Sequence, residues 1–204
     1  MTRAPLATLG LIACMLACFC VPALHETLIF DRGAIAHGEA WRLASGNLVH
    51  FSATHLAANL LVLAVAGALL ERHSPRATLA LYALSALSTG CVLLAFEPAL
   101  ARFGGASGIA SAAVTLLALQ WLEEGGRRRA AGAGLLALLA TKLLLEFATG
   151  RSMVAGNAPE FVLVPASHAA GMAAAALLFS IRSLTLMRRA SGHGPELLRG
   201  SEAP

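Results

Sequence analysis

Apolar residues in this chain come in six long runs, near Leu6–Leu24, Leu48–Leu70, Ala77–Phe96, Gly105–Leu122, Ala130–Phe147 and Phe161–Ile181. Each approaches the roughly 20 apolar residues that a helix needs to cross a bilayer. Polar residues collect in the connections between the runs. The alternation of period two that marks a membrane β-barrel is absent. The pattern predicts an all-α, polytopic membrane protein with six transmembrane helices. Residues 1–182 form the membrane domain, an outer loop runs from about 25 to 47, and a polar, disordered tail covers 183–204.

Composition agrees. Of 204 residues, 57% are hydrophobic and 13% charged, about half the roughly 25% charge of a soluble domain. Arginines set the orientation. Arg3, Arg72, Arg76, Arg127, Arg128, Arg129, Arg182, Arg188, Arg189 and Arg199 flank one side of the runs, and Arg32, Arg42, Arg102 and Arg151 the other. By the positive-inside rule both termini face the cytoplasm. The net charge of +4 therefore reports topology and anionic lipid, and no basic-aromatic pattern suggests nucleic acid. Cys14, Cys18, Cys20 and Cys91 lie within apolar runs without CxxC spacing and read as structural thiols. The first outer connection, His25 to Asn47, is long enough to need short helices of its own, with Trp41 at the water–lipid interface.

Polar side chains inside apolar runs are costly and therefore informative. They are His50, His55 and Asn59 in the second run, Ser107 in the fourth, Lys142 and Glu146 in the fifth, and Ser167 and His168 in the sixth. At about 1.5 Å per residue, His55, Asn59, Ser107 and His168 fall in one layer of the outer half of the membrane. Serine becomes a nucleophile when a base takes its proton, and histidine is the usual base. The resulting oxyanion needs preorganised donors. The layer offers Ser107 as nucleophile, His168 as base, and the Ser107 N–H, His55 and Asn59 as oxyanion donors; His55 and Asn59 share a helix face at i, i+4. Gly104, Gly108 and Ala112 form one small-residue ridge, and Ser167, Gly171 and Ala175 another. Such ridges let two helices approach closely. Gly105 and Gly108 would also leave clearance for a substrate backbone.

"WR" (Trp41–Arg42), "HFSATHLAAN" (His50–Asn59), "GASG" (Gly105–Gly108) and "SHAAG" (Ser167–Gly171) together resemble the rhomboid intramembrane serine proteases, in order and over nearly the whole chain. The stretch "FDRGAIAHGEAWRLASGNLVH" looks most like the rhombosortase branch. The resemblance implies a Ser107–His168 dyad without a third carboxylate. It also implies His55 and Asn59 at the oxyanion, His50 anchoring the loop, and Trp41 and Arg42 fixing the first loop at the membrane surface. The expected partners are membrane-anchored proteins with a single or C-terminal transmembrane helix, in rhombosortases one preceded by Gly-Gly and followed by a basic cluster. The expected location is the bacterial inner membrane. No cofactor or metal is expected, since His50 and His55 lack the carboxylate and spacing of a zinc site.

Two positions depart from the family. An aromatic residue is usual four positions after the serine, against the catalytic histidine; here it is Ser111. That leaves Ser111 or Ser167 to orient His168. Ala175 replaces the last glycine of the histidine motif. Lys142 and Glu146, also i, i+4, are expected to pair structurally or to snorkel toward the interface. The competing functional classes are an inactive escort homologue and a small transporter.

Overall fold

A computed structural model describes residues 4–150 and 164–191. The chain runs through helices α1 (Leu6–Cys20), α2 (Pro22–Leu28), α3 (Arg32–Ala36), α4 (Arg42–Ser45), α5 (Ala53–Val62), α6 (Ala68–His73), α7 (Pro75–Phe96), α8 (Ser107–Glu124), α9 (Gly126–Thr149) and α10 (Pro165–Ser191). Helices α5 and α6 join through a π-turn at Leu63–Gly67 into one rod, Ala53–His73.

Four described helices have the length and hydropathy to cross a membrane: Ala53–His73, α7, α9 and the Pro165–Arg188 part of α10. A fifth is reached if α1 and α2, bent by 109°, are taken as one span. The bend cuts the first apolar run short. Val21 is extended, as a residue before proline prefers, and Pro22 opens α2. Helix α8 is not among the candidates. Its alanines, serines and threonines face protein: Ala112, Ala113 and Ala118 are fully buried, and Ser111 and Thr115 nearly so. Its polar end, Gln120, Glu123 and Glu124, lowers the hydropathy of the whole helix, while its small buried residues suit a central, closely packed position. The expected count of six spans thus exceeds the four to five that length and hydropathy support.

Short helices α2 to α4 fill the first outer connection, as expected. Two residues of strand were not expected. Phe30–Asp31 (β1) pairs antiparallel with Arg102–Phe103 (β2), Phe30 opposite Phe103 and Asp31 opposite Arg102. Phe30, Leu93, Phe103 and Val164 form a small core beneath this ribbon. Arg32 caps the end of α7, donating to the carbonyls of Leu93, Leu94, Glu97 and Leu100. Arg42 is buried and donates to the carbonyls of Glu26 and Ile29 and to the Glu39 carboxylate. Trp41 is half exposed, its indole donating to the Thr27 carbonyl. The pair Trp41–Arg42 thus ties α4 to α2. The ribbon in turn fixes the chain just before Gly104.

At the opposite end, Glu71 accepts the N–H groups of Ala7 and Thr8 and the Thr8 hydroxyl. A carboxylate there satisfies donors that the start of α1 cannot pair internally. Helix α10 continues to Ser191, so the chain stays helical beyond residue 182. Residues 192–204, most of the expected tail, lie outside the described residues. So do the start of the sixth apolar run and Arg151.

Candidate active site

Three of the four candidate residues stand at or near helix beginnings. Ser52 caps α5, its hydroxyl accepting from the His55 N–H at 3.3 Å, so His55 lies in the first turn of α5. Ser107 is the first residue of α8, and His168 lies in the first turn of α10, about 5 Å from its start at 1.5 Å per residue. These depths are shallower than the apolar runs suggested, because α5 and α10 start later than the runs do. Each helix turns its positive N-terminal end toward this layer, which favours negative charge there.

His50 precedes α5 and is 1% exposed. Its Nε2 accepts from the backbone N–H of Ala106 at 3.3 Å and lies 3.0 Å from Asn59 Nδ2. Because the Ala106 N–H can only donate, Nε2 carries the lone pair and Nδ1 the proton, directed to the Leu48 carbonyl at 3.3 Å. The same logic makes Asn59 present its amide N–H₂ to His50. Burial, with His55 adding repulsion, pushes the His50 imidazole down to about 3, so it is neutral. Its ring meets that of His55 edge-on at 5.1 Å. His50 is thus more than a loop anchor: it clamps Asn59 of α5 to the residue before Ser107.

Gly105 has φ +154°, and a Cβ there would lie 2.6 Å from His55 Cε1. Its missing side chain makes room for His55. Gly104 departs from expectation. It precedes α8 and faces the Val49 carbonyl and Phe51 ring, so the ridge on α8 begins at Gly108. There the helices touch. A Cβ on Gly108 would lie 2.8 Å from the Ser167 carbonyl, and one on Gly171 only 1.9 Å from the Gly108 carbonyl. Ala112 and Ala175 continue the contact, fully buried. Ser107 is therefore next to Gly108 in this crossing of α8 and α10, and His168 lies between its contact residues Ser167 and Gly171.

The sequence reading missed what lies on the other side of His168. Its Nδ1 is 2.7 Å from Glu146 Oε2 and 3.0 Å from Lys142 Nζ, and Lys142 Nζ is 2.8 Å from the same Oε2. Lys142 and Glu146 do pair, as the i, i+4 spacing foretold, but Glu146 is buried and not lipid-facing. The Ser167 hydroxyl, one expected partner of His168, donates to the Val164 carbonyl instead. A charged i, i+4 pair inside an apolar run was the available signal for Glu146.

The Rhomboid domain family matches residues 37–185, from the first outer connection to the last helix. The chain belongs to the rhomboid family, whose members are in general intramembrane serine proteases acting on membrane proteins, and it is an integral, multi-pass membrane protein. No curated protein matches the chain at a significant level.

Proposed function

We propose that this chain is an active intramembrane serine endopeptidase, with Ser107 as nucleophile and His168 as general base. The observation that carries the reading is the α8–α10 crossing, where Gly108 and Gly171 bring two backbones together between those residues. A serine and its base must come within about 3 Å, and close approach of their helices is what makes that possible. Ser107 Oγ attacks the scissile carbonyl while its proton passes to His168. The Ser107 N–H, His55 and Asn59 hold the oxyanion in a site shielded from water. His168 returns the proton to the leaving amine, and a second nucleophile, water in hydrolysis, releases the acyl-enzyme.

An apolar groove of ≈ 590 Å³ supports a helical substrate. It is lined by Leu61 and Val65 of the α5–α6 rod, Val114 and Trp121 of α8, and Leu135 and Leu138 of α9. Val114 and Trp121 lie roughly 10 to 20 Å along α8 from Ser107, at 1.5 Å per residue. A substrate helix whose outer end unwinds at Ser107 would rest its apolar part there, entering between the second and fifth runs. We further propose six crossings, with α8 shielded from lipid by its neighbours, and both termini on the arginine-rich cytoplasmic side of a bacterial inner membrane. The approach to the tryptophan–arginine pair favours rhombosortase-like substrates, with Gly-Gly before a C-terminal hydrophobic helix and basic cluster.

Labelling with a fluorophosphonate tests the assignment. The full chain in detergent should label and Ser107→Ala should not; equal labelling of both refutes Ser107. Asn59→Ala or His55→Ala should each lower turnover by about 10²–10³, the loss expected for one oxyanion donor. Cleavage of a reporter bearing the Gly-Gly signal, followed on gels, measures it; an unchanged Asn59→Ala rate removes Asn59 from the mechanism.

A further inference from the structure

Resting on the Ser107–His168 reading, we propose that Glu146 is a positioning residue that fixes the tautomer and orientation of His168, making the site a serine–histidine–glutamate arrangement. Helix α9 is the most exposed of the candidate spans. Around Glu146, Leu144, Leu145 and Phe147 are 69%, 39% and 59% exposed, whereas Glu146 is 1% exposed. A carboxylate turned inward from a lipid-facing helix is costly unless partners hold it. Lys142 alone does not require that direction, since its own side chain keeps 22% exposure. The second partner, His168 on α10, accounts for it.

The contacts also assign the protons. A carboxylate oxygen 2.7 Å from a ring nitrogen requires a proton between them, and an ammonium can supply only donors. Nδ1 of His168 therefore carries its proton and donates to Glu146 Oε2. The 3.0 Å approach of Lys142 to Nδ1 is two donors converging on one acceptor. The Nε2 lone pair is then free for the serine. As the Oγ–carbonyl bond forms, the Ser107 proton moves to Nε2 and the carbonyl electron pair becomes the oxyanion. As the carbon–nitrogen bond breaks, that proton leaves with the amine. Glu146 takes no proton at any step; it faces the positive imidazolium while that exists. Among the described residues, the charged and titratable groups facing His168 are Glu146 and Lys142 from α9 and His55 from α5. Lys142 balances Glu146 in the resting state. Ser111 needs no aromatic ring to steer the histidine, because the steering comes from α9.

Fluorophosphonate labelling of the full chain in detergent reads serine activation directly. Glu146→Gln keeps the shape and an acceptor oxygen but removes the charge. Its labelling rate at saturating probe should fall by about 10²-fold or more, with half-saturation and thermal unfolding unchanged, and Glu146→Asp should recover part of the loss. Lys142→Met should lose at least about tenfold less than Glu146→Gln, because the lysine does not hold the tautomer. Two outcomes overturn the proposal: Glu146→Gln labelling within about threefold of the parent, or equal losses in the two variants, as an ion-pair scaffold would give. If Glu146→Gln does not fold, the Lys142→Met/Glu146→Gln double variant leaves no buried charge unmatched and should show the same 10²-fold loss; parent-like labelling in it also overturns the proposal. Ser107→Ala run alongside separates the layers. Its labelling at the parent rate defeats the serine assignment, whereas its silence beside an unimpaired Glu146→Gln defeats only the role of Glu146.

Discussion

Alanine at Gly171 should abolish proteolysis without touching a reacting atom. Its Cβ would lie 1.9 Å from the Gly108 carbonyl oxygen and 2.7 Å from the carbonyl carbon. Both obstacles are backbone, so no side chain can swing aside. Helices α8 and α10 would have to separate by an ångström or more, and overpacking of this kind typically costs about 1–3 kcal/mol even where side chains can adjust. The displacement acts where a small change matters most. A misplacement of about 1 Å in a catalytic constellation can cost 10²-fold, and here the proposed nucleophile and base ride on the two helices being pushed apart. Fluorophosphonate labelling should fall below detection, and thermal unfolding in detergent should shift downward. Gly105→Ala should also lower labelling, since φ +154° strains an alanine and its Cβ would press on the His55 ring. Parent-like labelling by Gly171→Ala would show that the crossing does not hold the site together.

Alanine at His168 should have the second large effect, with a milder structural signature. On the proposed mechanism, loss of the general base removes proton transfer in both halves of the reaction, so reporter cleavage should fall by about 10⁴-fold or more. The fold should survive. Lys142 and Glu146 keep their 2.8 Å ion pair, and the Gly108–Gly171 contact is untouched. Gel-based cleavage with thermal unfolding on the same preparation separates the two cases: His168→Ala loses activity with a modest fall in unfolding temperature, from the buried partner that Glu146 loses, while Gly171→Ala loses activity with a larger fall. Retained cleavage in His168→Ala would move the base elsewhere.

The contrast between these variants mirrors what could be read from the chain alone. Ser107, His168, His55 and Asn59 stood out as candidates because a polar side chain in an apolar run is expensive. The role of Gly171 was half legible. Its spacing from Ser167 and Ala175 predicted close packing, but which carbonyl it meets depends on how α10 is rotated against α8. Gly104 was misplaced for the same reason, since only the folded chain shows that α8 begins at Ser107. The β1–β2 ribbon was invisible, because two residues of strand carry no periodicity.

Apolar run length alone determined that this is an α-helical membrane protein, because lipid forces each spanning segment to satisfy its own backbone. The i, i+4 rule alone placed Lys142 and Glu146 within reach of each other, because they sit on one helix. Tertiary structure decided that Glu146 reaches His168 on another helix 22 residues away and that His50 clamps Asn59 to Ala106. Those contacts depend on the rotation and tilt of whole helices, which small-residue packing across the bundle sets and no local pattern encodes.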